Sequence, residues 1–184
     1  MPVEIPANPV LKAALREAVR RLYDRDFFLL KQGLAEPAVA SALKTHIAAC
    51  LPVHCGLDVD SEYNRMTPDE QHAVEQVAKH LDNLENWDDE KTGDVWPDVI
   101  VHSRTDGKHN TLVLELKIVG RQSGKDRDWD RAKLQEFTRP RGDKGLGYAL
   151  GCFMDISPSV AHIEWFSGGQ PEQEETISKP GAEE

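Results

Sequence analysis

Two apolar runs, Val99-Ile100-Val101 and Thr111-Leu112-Val113-Leu114-Glu115-Leu116-Lys117-Ile118, flank the polar stretch Thr105-Asp106-Gly107-Lys108-His109-Asn110. Strand-forming residues on both sides of an Asp-Gly pair are the signature of a β-hairpin. Side chains along a strand alternate between its two faces. Leu114, Leu116 and Ile118 therefore take one face of the second strand, and Glu115 and Lys117 share the other. With the turn centred on Gly107 and Lys108, Asp98 faces Lys117 across the ladder, and Glu115 is the diagonal neighbour of Asp98 on the same face. Two carboxylates and an ammonium thus converge from two different strands.

Carboxylates this close repel unless a cation lies between them. A hard, octahedral Mg²⁺ (or Mn²⁺) accepts two such groups and completes its shell with water and phosphate oxygens. Asp98 and Glu115 are the candidate metal ligands. Lys117 suits either of two tasks, stabilising charge that develops on a phosphate or positioning and helping to deprotonate an attacking water, and the sequence does not choose between them. The same acid-x-Lys spacing recurs in Asp89-Glu90-Lys91 and Asp106-Gly107-Lys108, but in apparent loops without an apolar frame. A solvated edge strand with an alternating ion pair would account for Glu115 and Lys117 alone. Pro97-Asp98, opening the partner strand, turns the reading towards a site.

Around the hairpin, Leu11, Leu15, Ala18, Val19 and Leu22 mark an N-terminal amphipathic helix over about residues 9–24. Val39, Leu43, Ile47 and Leu51 mark a second, with Glu36-Pro37 at its start. Residues 57–63 alternate as a short strand, and Thr67-Pro68-Asp69-Glu70 caps a helix over 67–84. A further helix is expected over 126–138, followed by strands over 147–156 and 160–166. Trp129, at helical spacing with Ala132 and Phe137, reads as core in preference to a groove wall shared with Lys133. From Gly168 onward Gly, Pro, Gln and Glu dominate, so a disordered acidic tail over 168–184 is expected. The chain, 184 residues long, suits one domain over 1–167, with its core from about 36 to 167.

No apolar run is long enough to span a bilayer, and Met1-Pro2-Val3-Glu4 does not begin a secretory leader, so a cytoplasmic protein is expected. Cys50, Cys55 and Cys152 cannot all pair with one another and match no zinc motif, so free thiols follow. They also lack a recognisable histidine relay for nucleophilic catalysis. The seven histidines form no HxH or HExxH pair. A net charge of −10 opposes a nucleic-acid partner, although part of it lies in the tail. Arg121, Lys125, Arg127, Arg131, Lys133, Arg139, Arg141 and Lys144 form a basic cluster that fits a phosphate-binding surface and a solvated helix face equally well.

Pro97-Asp98-Val99-Ile100-Val101-His102 and Leu112-Val113-Leu114-Glu115-Leu116-Lys117 resemble the motifs of the PD-(D/E)XK nuclease superfamily. Asp58-Val59-Asp60-Ser61-Glu62-Tyr63-Asn64-Arg65 is similar to the strand that precedes the catalytic hairpin in some uncharacterised members. The resemblance implies an α/β, restriction-endonuclease-like αβββαββ core, a central mixed sheet flanked by helices, carrying here an extra N-terminal helix and an inserted helix over 67–84. It makes Asp98 and Glu115 ligands of Mg²⁺ or Mn²⁺, Lys117 the catalytic lysine, Glu36 a supporting helix acid and Glu62 an additional acid. Glu36 is read equally well as a first-turn acid favoured by the helix dipole, and Glu62 as a solvated strand residue. The implied activity is metal-dependent hydrolysis of phosphodiester bonds in DNA. A nuclease fold kept as a binding or scaffold module is the alternative, and a homodimer or a protein partner is compatible with either.

Overall fold

The helical periodicity of the N-terminal third is realised as three helices. In α1 (Asn8–Arg25) the proline sits in the first turn, where its missing N–H costs nothing, and Leu11, Leu15, Ala18, Val19 and Leu22 are buried along one face. A single short helix, α2 (Phe27–Lys31), follows and ends in Gly33, whose φ of +59° is one that glycine adopts without strain. Glu36 and Pro37 then open α3 (Glu36–Cys50), which buries Val39, Ala40, Leu43 and Ile47. The computed structural model describes residues 5–53, 55–61, 96–104, 109–121, 124–141 and 145–181. Glu62 and the helix expected over 67–84 lie outside the described residues.

Among the described residues six strands form one mixed sheet in sequential order: β1 (Asp58–Ser61), β2 (Val99–His102), β3 (Asn110–Ile118), β4 (Leu150–Ile156), β5 (Val160–Ser167) and β6 (Gln170–Ser178). Every neighbouring pair is antiparallel except β3 and β4. A parallel pair needs a crossover, and α4 (Gly124–Thr138) supplies it. Among the described residues the elements from Glu36 to Ser167 follow the order α-β-β-β-α-β-β.

The sheet is covered on both faces. Val99, Val101, Leu112, Leu114, Leu116 and Met154 pack against α1 and α3, while Ile100, Val113, Phe153 and Phe166 pack against Trp129, Leu134 and Phe137 of α4. Trp129 is thus core. Gly151 lets α4 approach closely, since a Cβ there would stand 2.9 Å from Thr138 Cγ2 and 3.1 Å from Phe166 Cβ. All three thiols are free, Cys55 and Cys152 buried and Cys50 half-buried. Burial raises the pKa of Cys152 and of Cys50, which disfavours a thiolate nucleophile at either position.

Two expectations are corrected. Val99 pairs with Leu114 and Val101 with Leu112, two positions away from the symmetric register, and the ladder shifts between Val101 and His102. One step on β2, Val101 to His102, spans two on β3, Leu112 to Asn110, so Thr111 is the extra residue of a bulge in β3, and Asp98, immediately before β2, lies in line with Glu115 and not with Lys117. A shift of two keeps every side chain on its expected face, whereas a shift of one would have inverted them all. The second correction concerns the tail. Residues expected to be disordered after Gly168 form β6, which pairs along β5. Glu175 accepts hydrogen bonds from Trp165 Nε1 at 2.7 Å and Arg16 Nε at 2.8 Å, Glu172 accepts one from Lys12 Nζ at 2.9 Å, and Ile177 is buried. The acids that read as a solvated run are the contacts that fasten this strand to α1.

Candidate active site

Glu115 and Lys117 leave β3 on the face covered by α4, because Leu114, Leu116 and Ile118 are committed to the α1–α3 face. Asp98 joins them from the start of β2. Its Oδ2 accepts the backbone N–H of Leu116 at 2.7 Å, so the side chain continues the strand pairing ahead of the first residue of β2. Glu36 enters from the first turn of α3. One of its carboxylate oxygens accepts the Ile118 N–H at 3.1 Å and the other lies 3.5 Å from Lys117 Nζ. Of the five predicted site residues, the structure brings Glu36, Asp98, Glu115 and Lys117 together, and Glu62 lies outside the described residues.

Two further residues complete the cluster, and both come from α4. Lys117 Nζ is 3.0 Å from Asp130 Oδ2, while Lys133 Nζ is 2.9 Å from Asp130 Oδ1 and 3.0 Å from Glu115 Oε1. Glu115, Asp130 and Lys133 are only 1%, 3% and 4% exposed, so these contacts form out of water. A signal for them existed. Asp130, Lys133, Leu134 and Phe137 follow the i, i+3, i+4, i+7 spacing of a core-facing helical stripe, and two of its members are charged.

With every group ionised, four carboxylates against two ammoniums would leave two negative charges in this buried space. The ionisation of each group responds accordingly. Burial pushes Asp98 up to about 6, with the Leu116 N–H and the two lysines pulling the other way. Burial also raises Glu115 well above the usual carboxylate range, against Lys133 and with the repulsion of Asp130 and Asp98. Burial disfavours the Lys117 ammonium, but Asp130, Glu36 and Asp98 more than offset this and its pKa is raised. Glu115 Oε1 and Asp130 Oδ2 are fully enclosed and meet ammoniums at ion-pair distance without a directed hydrogen bond. Such contacts are Coulombic first, and they leave oxygen lone pairs unused.

The basic cluster is largely engaged within the protein. Arg127 Nε lies 2.7 Å from Asp155, Arg131 Nε lies 2.8 Å from Glu164 with its guanidinium over Phe153, and Arg139 lies 2.8 Å from Glu136. The acids of β1 are accounted for in the same way. Asp60 accepts hydrogen bonds from Nε and one terminal nitrogen of Arg104 and takes His102 Nε2 at 3.0 Å. Among the described residues no three acidic, histidine or cysteine side chains converge closely enough to hold a metal ion by themselves. Also among them, no helix is long and apolar enough to cross a membrane. Comparison with protein-family models, with curated proteins and with solved structures gives no match.

Proposed function

We propose that the protein is a metal-dependent phosphodiesterase acting on nucleic acid, in the first place DNA, through Asp98, Glu115 and Lys117. The observation that carries this reading is the alignment of Asp98 with Glu115 on one sheet face, with Lys117 beside them and the helix acid Glu36 fastened to it. The α-β-β-β-α-β-β order supports it, being the order implied by the nuclease-superfamily resemblance of the Pro97-Asp98 and Glu115-Leu116-Lys117 motifs.

The donor set fits a magnesium ion. Mg²⁺ takes one or two carboxylates from a protein and fills its remaining positions with water and substrate phosphate, so a third protein acid is not required. Asp98 and Glu115 would hold it, and one divalent charge would cancel the two negative charges left in the cluster. When bound, the ion would supply Lewis acidity towards a phosphoryl oxygen. The chain's own residues do the rest. The Leu116 N–H fixes the Asp98 carboxylate, and Glu36 and Asp130 aim the Lys117 side chain. Lys117, paired with Asp130 and Glu36, would supply an ammonium for electrostatic stabilisation of a phosphate.

A second reading, a binding module of the same fold without turnover, is favoured by one observation. Arg127 and Arg131 are spent on Asp155 and Glu164, which withdraws two cations from any phosphate-binding surface. Incubation of the protein with single- and double-stranded DNA and RNA in Mg²⁺ or Mn²⁺ separates the two. Cleavage by wild type that disappears in Asp98→Asn supports the phosphodiesterase. Binding of a nucleic acid or protein without cleavage of any substrate supports the module.

A further inference from the structure

Lys133 is a second buried ammonium in the site, and the two-carboxylate reading has no task for it. It stands between Glu115 and Asp130 at 3.0 and 2.9 Å, almost fully enclosed. Its contact with Glu115 lacks hydrogen-bond direction, since Glu115 Oε1 is enclosed yet receives no aimed donor. Its contact with Asp130 spans a single helical turn of α4, so that partner stays beside it whatever happens on β3. A lysine so placed has one permanent partner and one that it shares with the site.

We propose that the Lys133 ammonium is the resident counter-ion of Glu115, competing with the divalent cation for that carboxylate, and that Asp130 is where it remains when the cation enters. This rests on the phosphodiesterase reading and adds a control to it. An ammonium and a divalent ion cannot both sit against the same carboxylate oxygen without strong like-charge repulsion. An ion that takes Oε1, the oxygen Lys133 holds, therefore breaks the contact with Glu115. It leaves the one with Asp130, which already holds Lys117 as well. Without metal, Lys133 keeps the buried acids tolerable. With metal, its retreat opens the Glu115 oxygen. The site is thereby set to a weaker affinity than its carboxylates alone would give, and it fills only where the divalent ion is plentiful.

Calorimetric titration of the full-length protein with Mn²⁺ alone tests this, comparing wild type, Lys133→Met and Lys133→Arg. Removing a competing charge at this distance should tighten Mn²⁺ binding at least about tenfold in Lys133→Met, while Lys133→Arg stays near wild type. A lysine that only holds the fold together would give the opposite sign, because its loss would loosen the site. Wild-type binding with equal or weaker binding by Lys133→Met overturns the competition and leaves the phosphodiesterase reading standing. Absence of Mn²⁺ binding by wild type and by both variants overturns that reading, and the competition with it.

Should Lys133→Met fail to fold, wild-type protein labelled with ¹⁵N at lysine Nζ reads the same event directly. The Lys133 ammonium signal, assigned through Lys133→Arg, should shift and exchange faster with water as Mg²⁺ saturates the site. A signal unmoved at saturation overturns the proposal.

Discussion

The Asp98 carboxylate accepts the Leu116 backbone N–H at 2.7 Å, taking the place of a strand carbonyl at the end of the β2–β3 ladder. A carboxylate held this way is fixed by the main chain of the strand that carries Glu115 and Lys117, so the three cannot drift apart independently. The same side chain is costly when charged. Its pKa is about 6 folded against an ordinary 3.8, so between these values the folded state binds the extra proton and stability falls as pH rises. The penalty above pH 6 is about 3 kcal/mol. Asparagine keeps the acceptor oxygen and removes the charge. Thermal melts in chelator should show Asp98→Asn more stable than wild type at pH 8, equal to it near pH 4, and flatter between. A variant less stable at pH 8 would mean that the charge itself holds the ladder end.

Lys117→Met should preserve the circular-dichroism spectrum and slow single-turnover cleavage by on the order of a hundredfold, the usual loss when one electrostatic stabiliser of a transition state is removed. Asp130 keeps Lys133 as a partner in this variant, and Glu36 keeps the Ile118 N–H. An unchanged chemical step would remove Lys117 from catalysis.

Deleting residues 169–184 should produce a cooperative loss of stability. It strips Ile177 from the core, leaves Trp165 Nε1 without Glu175, and exposes the edge of β5. Burial of one isoleucine and one unsatisfied buried N–H together amount to roughly 4 kcal/mol. For a chain of this size that corresponds to a fall in Tm of about 10 °C. A truncated protein that melts with wild type would show that β6 contributes nothing to the sheet.

Gly151→Ala should destabilise the protein by roughly 1–3 kcal/mol, because the new methyl meets Thr138 and Phe166 inside ordinary contact distance. Relief requires α4 to move away from the sheet, and α4 carries Asp130 and Lys133. A loss of cleavage should therefore accompany the loss of stability, although residue 151 lies on β4 and touches none of the site. Differential scanning calorimetry together with single-turnover rates would show whether the two fall together.

The alternation of Leu114, Glu115, Leu116, Lys117 and Ile118 was sufficient to put the acid and the lysine on one face, because period two leaves no other choice. Glu36 was legible as the first residue of its helix. The register of Asp98 was not, since a turn-centred count assumes a regular ladder about Gly107 and Lys108, whereas His102 pairs with Asn110 and Thr111 then bulges out of β3. Asp130 and Lys133 were hidden by their residue types, because charged residues on a helix are usually solvated and only the stripe completed by Leu134 and Phe137 marks them as inward. The strand β6 was hidden for the same reason in reverse. Glu172 and Glu175 read as tail until Lys12 and Arg16, some 160 residues earlier, are seen to be waiting for them.

Ser61 and Val99 are ladder partners, so the chain leaves β1 and returns to β2 at adjacent points of the sheet. Loop-closure entropy grows only with the logarithm of length, and doubling such a connection costs only about 0.6 kcal/mol. Sequence can therefore be gained or lost between these two residues with little effect on strand register, and Asp98, clamped to Leu116, stays in place while it happens.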